Sequence, residues 1–84
     1  MPRYYFDYWD GRTVSSDKDG VECPDEQAAC RAAAKGLLNL AKENVDSTIS
    51  CEFSIEVSDE ARKPLCRVTL QLEIEDLTQQ NSIM

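Results

Sequence analysis

Aromatic residues are concentrated at the start of this chain, where five of the six lie within the first nine positions. The run Arg3-Tyr4-Tyr5-Phe6-Asp7-Tyr8-Trp9 is typical of a β-strand, because aromatic side chains pack well on a pleated, half-buried surface. The run ends at Asp10-Gly11, a dipeptide that favours a tight hairpin turn. We therefore expect a β-hairpin at the N-terminus, with a short second strand over residues 12–16.

Two segments in the second half of the chain alternate between apolar and polar residues, at positions 51–58 and 66–75. Successive side chains of a strand point to opposite faces, so this alternation predicts two strands with one core face and one solvated face. A turn between them pairs Glu56 with Arg67 on the solvated face. The same register pairs apolar residues on the core face: Val57 with Cys66, Ile55 with Val68, Phe53 with Leu70 and Cys51 with Leu72.

A helix is predicted between the two pairs of strands, from about Asp25 to Glu43 or Asn44. Asp25 is suited to cap the first backbone amides, and Glu26 favours the positive end of the helix dipole. The apolar stripe has the spacing of one helix face and consists mainly of small residues: Ala29, Ala32, Ala33, Gly36, Leu37, Leu40 and Ala41. Because glycine lowers helix propensity, Gly36 predicts a close approach of the helix to the sheet.

The order of these elements predicts an α+β fold of the ββαββ type, in which a four-stranded antiparallel sheet has one helix packed on one face. Residues 1–76 form a single domain in this prediction. Residues 77–84 are expected to form a flexible tail, because they are polar and lack periodicity. The segment Val21-Glu22-Cys23 is expected only as an extended lead-in to the helix. The core is predicted from six residues of the helix and the last two strands: Leu37, Leu40, Phe53, Ile55, Val68 and Leu70.

The chain has 84 residues with nine basic and sixteen acidic side chains, for a net charge of −7. An acidic surface opposes binding to phosphate backbones, so direct nucleic-acid binding is not expected. No apolar stretch approaches the roughly 18 to 20 residues of a membrane span, and the N-terminus lacks the basic and apolar regions of a signal peptide. We therefore expect a cytoplasmic protein without membrane contact.

The cysteines of this chain have none of the close pairs that are typical of zinc sites. The predicted hairpin register keeps Cys51 and Cys66 too far apart for a disulfide. The chain also has no histidine, which is the commonest general base and metal ligand. The sequence thus predicts buried free thiols, no metal, no cofactor and no catalytic residue. A thiol sensor at Cys23 or Cys30, near the helix start, is the alternative.

Two groups of carboxylates resemble functional sites but are typical of ordinary structure. Asp17-x-Asp19-Gly20 is similar to the start of a calcium loop, yet the remaining ligand positions are missing, so a polar turn is expected. Glutamates alternate with Ser, Thr, Gln and Arg on the predicted strands, which indicates a solvated face rather than an acid–base pair. These glutamates are Glu52, Glu56, Glu73 and Glu75.

Tyr5 and Trp9 are the candidate partner-binding residues. They point to the side of the first strand opposite Tyr4, Phe6 and Tyr8, which the helix is expected to cover. Tyrosine and tryptophan are enriched at interface hot spots, and a first strand at the sheet edge would add unpaired backbone groups. We expect a homodimer to form through this aromatic surface.

Several turn and strand motifs occur in order along residues 2–75. They are Pro2-Arg3-Tyr4-Tyr5-Phe6-Asp7, Asp10-Gly11, Asp19-Gly20-Val21-Glu22, Pro24-Asp25, Ile55-Glu56-Val57, Asp59-Glu60 and Pro64-Leu65-Cys66-Arg67-Val68. With these motifs the chain resembles a family of short proteins of unknown function from rhizobia and other alphaproteobacteria. The resemblance implies a bacterial cytosolic protein and transfers no activity, cofactor or catalytic residue. Members of that family often have leucine at the position of Cys23, which fits a thiol that packs like an apolar side chain.

These features favour a non-enzymatic interaction or regulatory module that acts by protein–protein contact. A small antitoxin-like protein that neutralises a basic partner is an alternative, by analogy of architecture and charge alone. A small-ligand carrier or enzyme with a site between helix and sheet is a further alternative, which the lack of histidine and of any catalytic motif disfavours.

Overall fold

The computed structural model of the chain describes residues 1–11, 13–44 and 50–78. These residues form five strands and one helix, which confirms the predicted α+β class with an antiparallel sheet. The predictions for residue 12 and for the tail at 79–84 lie outside the described residues. The one helix in the described ranges is not long and apolar enough to cross a membrane. The elements are β1 (Arg3–Trp9), β2 (Val14–Ser15), β3 (Val21–Glu22), α1 (Glu26–Asn44), β4 (Ser50–Ser58) and β5 (Pro64–Glu73).

Strand β1 lies inside the sheet rather than at its edge. The strand order is β2-β1-β4-β5, and β3 pairs with the start of β1 through Arg3 and Tyr4. The end of β1 has a partner on each side, because Tyr8 pairs with Ser15 of β2 and with Ile55 of β4. The possibility considered above, that the first strand lies at a sheet edge, is therefore not realised. Strand β3, expected only as an extended lead-in, is too short for its pairing to be visible in the sequence.

The β4–β5 hairpin has the predicted register. On the face opposite the core, Arg67 Nη2 donates to Glu56 Oε2 at 2.7 Å. A register shift follows between Val57 and Ser58, close to the turn. Alternation is sufficient to predict this register because a slip of one residue would turn the apolar side chains away from the core. The core-side pairs are Val57 with Cys66, Ile55 with Val68, Phe53 with Leu70 and Cys51 with Leu72.

Helix α1 begins at the predicted cap. Asp25 Oδ1 accepts the Ala28 amide at 2.8 Å, and the Asp25 carbonyl accepts the Ala29 amide at 3.1 Å. The predicted close approach at Gly36 is wrong, because a Cβ built there would meet no neighbouring atom of the described residues within 4 Å. The helix instead contacts the sheet through other residues of its stripe, which are buried: Ala29, Ala33, Leu37 and Ala41.

The core lies between α1 and the sheet. Two of the predicted core residues on β5, Val68 and Leu70, are only partly buried and pack against the core from its side, as Leu40 of α1 does. Those on β5 stay partly exposed because that strand ends the sheet. The largest fully buried side chains are Phe53, Leu37 and Val57.

A disulfide joins Cys30 of α1 to Cys66 of β5, with the two Cα atoms 6.7 Å apart. The prediction of free thiols is therefore wrong for this pair, and Cys30 is not available as a thiol sensor while the bond is intact. Sequence spacing compares cysteines only along the chain, whereas packing of α1 on the sheet brings Cys30 beside Cys66. Cys23 is a buried free thiol, as predicted. The prediction for the Cys51 side chain lies outside the described residues.

Candidate functional site: the open sheet face

One face of the sheet packs against α1, and we call the opposite one the open sheet face. No helix in the described part of the chain packs on it. A groove of about 550 Å³ runs across this face and makes it the candidate binding site. The side chains of the open sheet face come from the three long strands: Tyr5, Asp7 and Trp9 of β1, Glu52, Ser54, Glu56 and Ser58 of β4, and Arg67, Thr69 and Gln71 of β5. Of these, the groove is lined by Asp7, Trp9, Glu52, Ser54, Glu56, Arg67 and Thr69, together with Val14 of β2.

An apolar pair lies at one end of the groove. Trp9 and Val14 are register neighbours on β1 and β2, and they are 39% and 69% exposed. Single exposed apolar residues are ordinary, but adjacent ones in a groove are typical of contact sites, and tryptophan is enriched at interface hot spots. The candidate residue Trp9 is therefore accessible to a partner. Val14 was not a candidate, and its only sequence signal is its place across the turn from Trp9.

Charged side chains cross the three strands beside this apolar pair. Strand register aligns Asp7, Glu56 and Arg67 in one row, and Arg67 bonds to Glu56. Glu52 also lines the groove, two residues before Ser54 on β4, and it forms no ion pair among the described residues. The groove therefore combines exposed apolar surface with a carboxylate that is available to a basic side chain.

Tyr5 lies on the same face but is covered by a side chain of its own protein. The Arg62 guanidinium carbon is 3.9 Å from the centre of the Tyr5 ring, which is a cation–π contact. Arg62 Nη1 is also 3.8 Å from Asp7 Oδ1, and its Nη2 donates to the Asp17 carbonyl at 2.9 Å. Tyr5 and Trp9 thus share the open sheet face, but Asp7 lies between them and they form no continuous aromatic patch.

Arg62 reaches this position from the turn between β4 and β5. Asp59 Oδ1 accepts the amides of Ala61 and Lys63, each at 2.9 Å, which closes the turn. Arg62 has a φ of 65°, a left-handed conformation that costs a non-glycine residue roughly 1 to 2 kcal/mol. The contacts of its side chain on β1 offset part of that cost. Nothing in the sequence singles out Arg62, because a basic residue in a polar turn is ordinarily solvated.

Between the two short strands β2 and β3, Asp17 hydrogen-bonds to the backbone of β1 in place of a strand partner. Its Oδ2 accepts the Phe6 amide at 3.1 Å, and its own amide donates to Asp7 Oδ1 at 2.9 Å. Its Oδ1 accepts the amides of Asp19 and Gly20 at 3.1 and 2.9 Å, which forms the predicted polar turn. Burial raises the pKa of Asp17, but hydrogen bonds from the Gly20, Phe6 and Asp19 amides outweigh it and lower the pKa below its usual value. The carboxylate therefore binds backbone amides.

Most of the chain matches a known family of domains. The model of that family, a domain of unknown function (DUF6894), matches residues 3–71. The chain belongs to the DUF6894 family. The matched range includes every residue that lines the groove. The match confirms the resemblance to a family of unknown function. The bacterial group of the protein stays a prediction. No match was found among curated proteins or among solved structures.

Replacing Asp17 with asparagine should destabilise this DUF6894 chain by about 1 to 3 kcal/mol at neutral pH, because an amide cannot accept all three backbone hydrogen bonds. The effect should depend on pH. A carboxyl whose pKa is lower in the folded state stabilises the fold above about pH 4, and this contribution is lost as the pH falls through the folded pKa. The difference in urea midpoint between the wild type and Asp17→Asn should therefore shrink below about pH 4.

Asp19→Asn is the matched control. The Asp19 side chain is exposed, and among the described contacts only its backbone takes part in hydrogen bonds. This variant should change the free energy of unfolding by less than about 0.5 kcal/mol. A difference between the wild type and Asp17→Asn that stays constant during acidification would contradict the role of the Asp17 carboxylate.

Proposed function

We propose that this DUF6894 chain is a non-enzymatic interaction module that binds a protein partner through its open sheet face. The observation that carries the proposal is the exposed Trp9–Val14 pair in a groove that no described helix covers. Covering such a pair stabilises a complex by roughly 25 cal/mol for each Å² of apolar surface removed from water. The pair therefore supplies the contact point for a partner.

The charge of the groove favours a basic partner. Two of its three carboxylates face guanidinium groups, whereas Glu52 has no ion pair in the described ranges. The chain as a whole has a net charge of −7, which attracts cationic partners. We infer a partner segment with an apolar side chain that contacts Trp9 and a lysine or arginine that contacts Glu52. This is the chemistry of the antitoxin-like alternative, in which an acidic module neutralises a basic protein.

An enzyme or a small-ligand carrier is less well supported. Small-molecule sites are usually concave pockets that enclose most of the ligand, whereas this groove lies along the surface of a sheet. The Ser54 and Thr69 hydroxyls in the groove are 3.4 Å apart, and the chain has no histidine that could activate either of them. A protein surface, in contrast, can bind to an open groove of this kind without being enclosed.

Trp9 is the chain's single tryptophan, so its fluorescence reports directly on the groove. Short peptides with a leucine between two lysines should shift the Trp9 emission in a saturable way, whereas the same peptides with glutamate instead of lysine should not. Measured by calorimetry, Trp9→Ala should weaken binding of the lysine peptide at least roughly tenfold. Glu52→Gln should weaken it by about two- to fivefold, as expected for an exposed charge pair.

Leu38→Ala is the control for these variants, because it removes an exposed apolar side chain from α1, away from the groove. Peptide affinity should be unchanged in this variant. In a cell extract, a true partner should be retained by the wild type and by Leu38→Ala but lost by Trp9→Ala. An emission that does not respond to the lysine peptides, or responds equally to the glutamate peptides, would contradict the proposed basic partner.

A further inference from the structure

Strand β5 is an outer strand of the sheet, at the end opposite the two-residue β2, and has ten residues, from Pro64 to Glu73. Strand β4 pairs with one side of it, and on its other side the described part of the chain has no strand. An open edge of this length exposes a row of backbone N–H and C=O groups that can pair with another strand. Pro64 fits the start of such an edge strand, since proline cannot donate a ladder hydrogen bond.

The core-facing side of β5 is incompletely buried. Its apolar side chains point toward α1 but remain partly exposed, and Ile74, just beyond the strand, is 55% exposed. Their partners Phe53, Ile55 and Val57 on the neighbouring strand β4 are buried. A further strand on the outer side of β5 would cover the exposed apolar side chains, which are Cys66, Val68, Leu70 and Leu72.

The sequence of β5 is complementary to itself in an antiparallel arrangement. When Leu70 faces Leu70 of a second copy across a twofold axis, Arg67 of each chain faces Glu73 of the other. The remaining pairs match in character, because apolar residues face apolar ones on the core side and polar residues face polar ones on the open sheet face. These pairs are Val68 with Leu72, Cys66 with Ile74, and Thr69 with Gln71.

We propose that two copies of this chain form a homodimer by antiparallel pairing of their β5 strands, centred on Leu70. This contact shares Arg67 and Thr69 with the groove but not the Trp9–Val14 pair. It places the homodimer contact at an outer strand rather than at β1, where it was expected. Arg67 can face the second copy while bonded to Glu56, because a guanidinium has five N–H donors. The twofold axis keeps both helices on one face of a continuous sheet and leaves two grooves accessible on the other.

A second copy fits this edge better than an unrelated strand. The two charge pairs need a strand with a basic and an acidic residue at the spacing of Arg67 and Glu73, which a second copy supplies. The net charge of −7 on each chain opposes association, but exposed charges are screened beyond about 8 Å at physiological ionic strength. Moderate salt should therefore strengthen the dimer, because it screens the long-range repulsion more than the two contacts at the interface.

Reversing the charges at the ends of the interface tests the pairing. Arg67→Glu brings glutamates face to face, and Glu73→Arg brings arginines face to face. Each variant alone should have a dimer dissociation constant raised roughly tenfold or more in sedimentation equilibrium. An equimolar mixture of the two variants should recover a dimer, because every glutamate at the interface then faces an arginine. This recovery also shows that each variant is folded.

Glu43→Arg on α1 is the matched control, because it makes the same charge change as Glu73→Arg at an exposed site away from β5. It should dimerise as the wild type does, and so should Trp9→Ala. A wild type that stays monomeric at micromolar concentration, or a mixture that stays monomeric while the wild type dimerises, would overturn the β5 dimer and leave binding at the groove intact. Loss of the dimer in Trp9→Ala, with the β5 variants unaffected, would assign the contact to the open sheet face instead.

Discussion

Replacing Leu37 with alanine should lower the free energy of unfolding by about 2 to 5 kcal/mol, as expected for a buried leucine side chain. Leu37 is 1% exposed on α1 and packs with Phe53 and Val57 at the centre of the core. A domain of 84 residues has a total stability of roughly 4 to 13 kcal/mol, so this single change removes a large part of it. The urea midpoint should fall accordingly.

The neighbouring Leu38 provides a control with the same chemical change. It is 55% exposed on the same helix, so Leu38→Ala should change the free energy of unfolding by less than about 1 kcal/mol. Equal effects of the two substitutions would mean that α1 does not pack on the sheet through Leu37.

Removing the Cys30–Cys66 disulfide should lower the free energy of unfolding by about 4 kcal/mol. The two cysteines are 36 residues apart, and closing a loop of this length restricts the unfolded chain by about that amount in the chain-entropy account. A reductant should therefore lower the urea midpoint of the wild type to that of the Cys30→Ala/Cys66→Ala variant. The same reductant should leave this double variant unchanged.

Peptide mapping without reductant gives an independent readout of the bond. It should recover the peptides that contain Cys30 and Cys66 as one linked species. Alkylation of both cysteines in the absence of reductant would contradict the disulfide. Structural disulfides persist in oxidising compartments and are rare in the cytosol, so mapping protein taken from cells also tests the expected cytoplasmic location.

The parts of the fold that follow from local patterns could be predicted from the sequence. Alternation over β4 and β5 is sufficient for their register, because a slip of one residue would place Phe53 and Val57 in solvent. Asp25 marks the start of α1 because its side chain accepts a hydrogen bond from the amide three residues later. A contact between such close neighbours in the chain can be predicted from the local sequence. These contacts depend on neighbours in the chain or on one hairpin.

Contacts between distant parts of the chain could not be predicted in this way. The Asp17 carboxylate replaces a strand partner for Phe6, and Arg62 covers Tyr5 from 57 positions further along the chain. The Cys30–Cys66 bond depends on how α1 lies across β5. Such contacts are set by packing, and the residues that form them look like ordinary turn or helix residues in the sequence.

The candidate site was predictable to a similar extent. Alternation along β1 places Tyr5 and Trp9 on the face away from α1, as expected. It does not reveal that Arg62 covers the Tyr5 ring. Nor does it reveal that Val14 lies beside Trp9 and enlarges its apolar surface. The proposed contact site therefore shifts from an aromatic pair on one strand to Trp9 and its neighbours across the groove.

Chemical-shift mapping with the lysine–leucine peptide is the most direct test of whether the groove around Trp9 binds protein. We expect saturable shifts of the Trp9 indole N–H and of the amides of Val14, Ser54 and Thr69, with no change at Leu38. Trp9→Ala should abolish the shifts at the other three groove residues. Shifts confined to the α1 surface around Leu38, or groove shifts that persist in Trp9→Ala, would contradict binding at the groove.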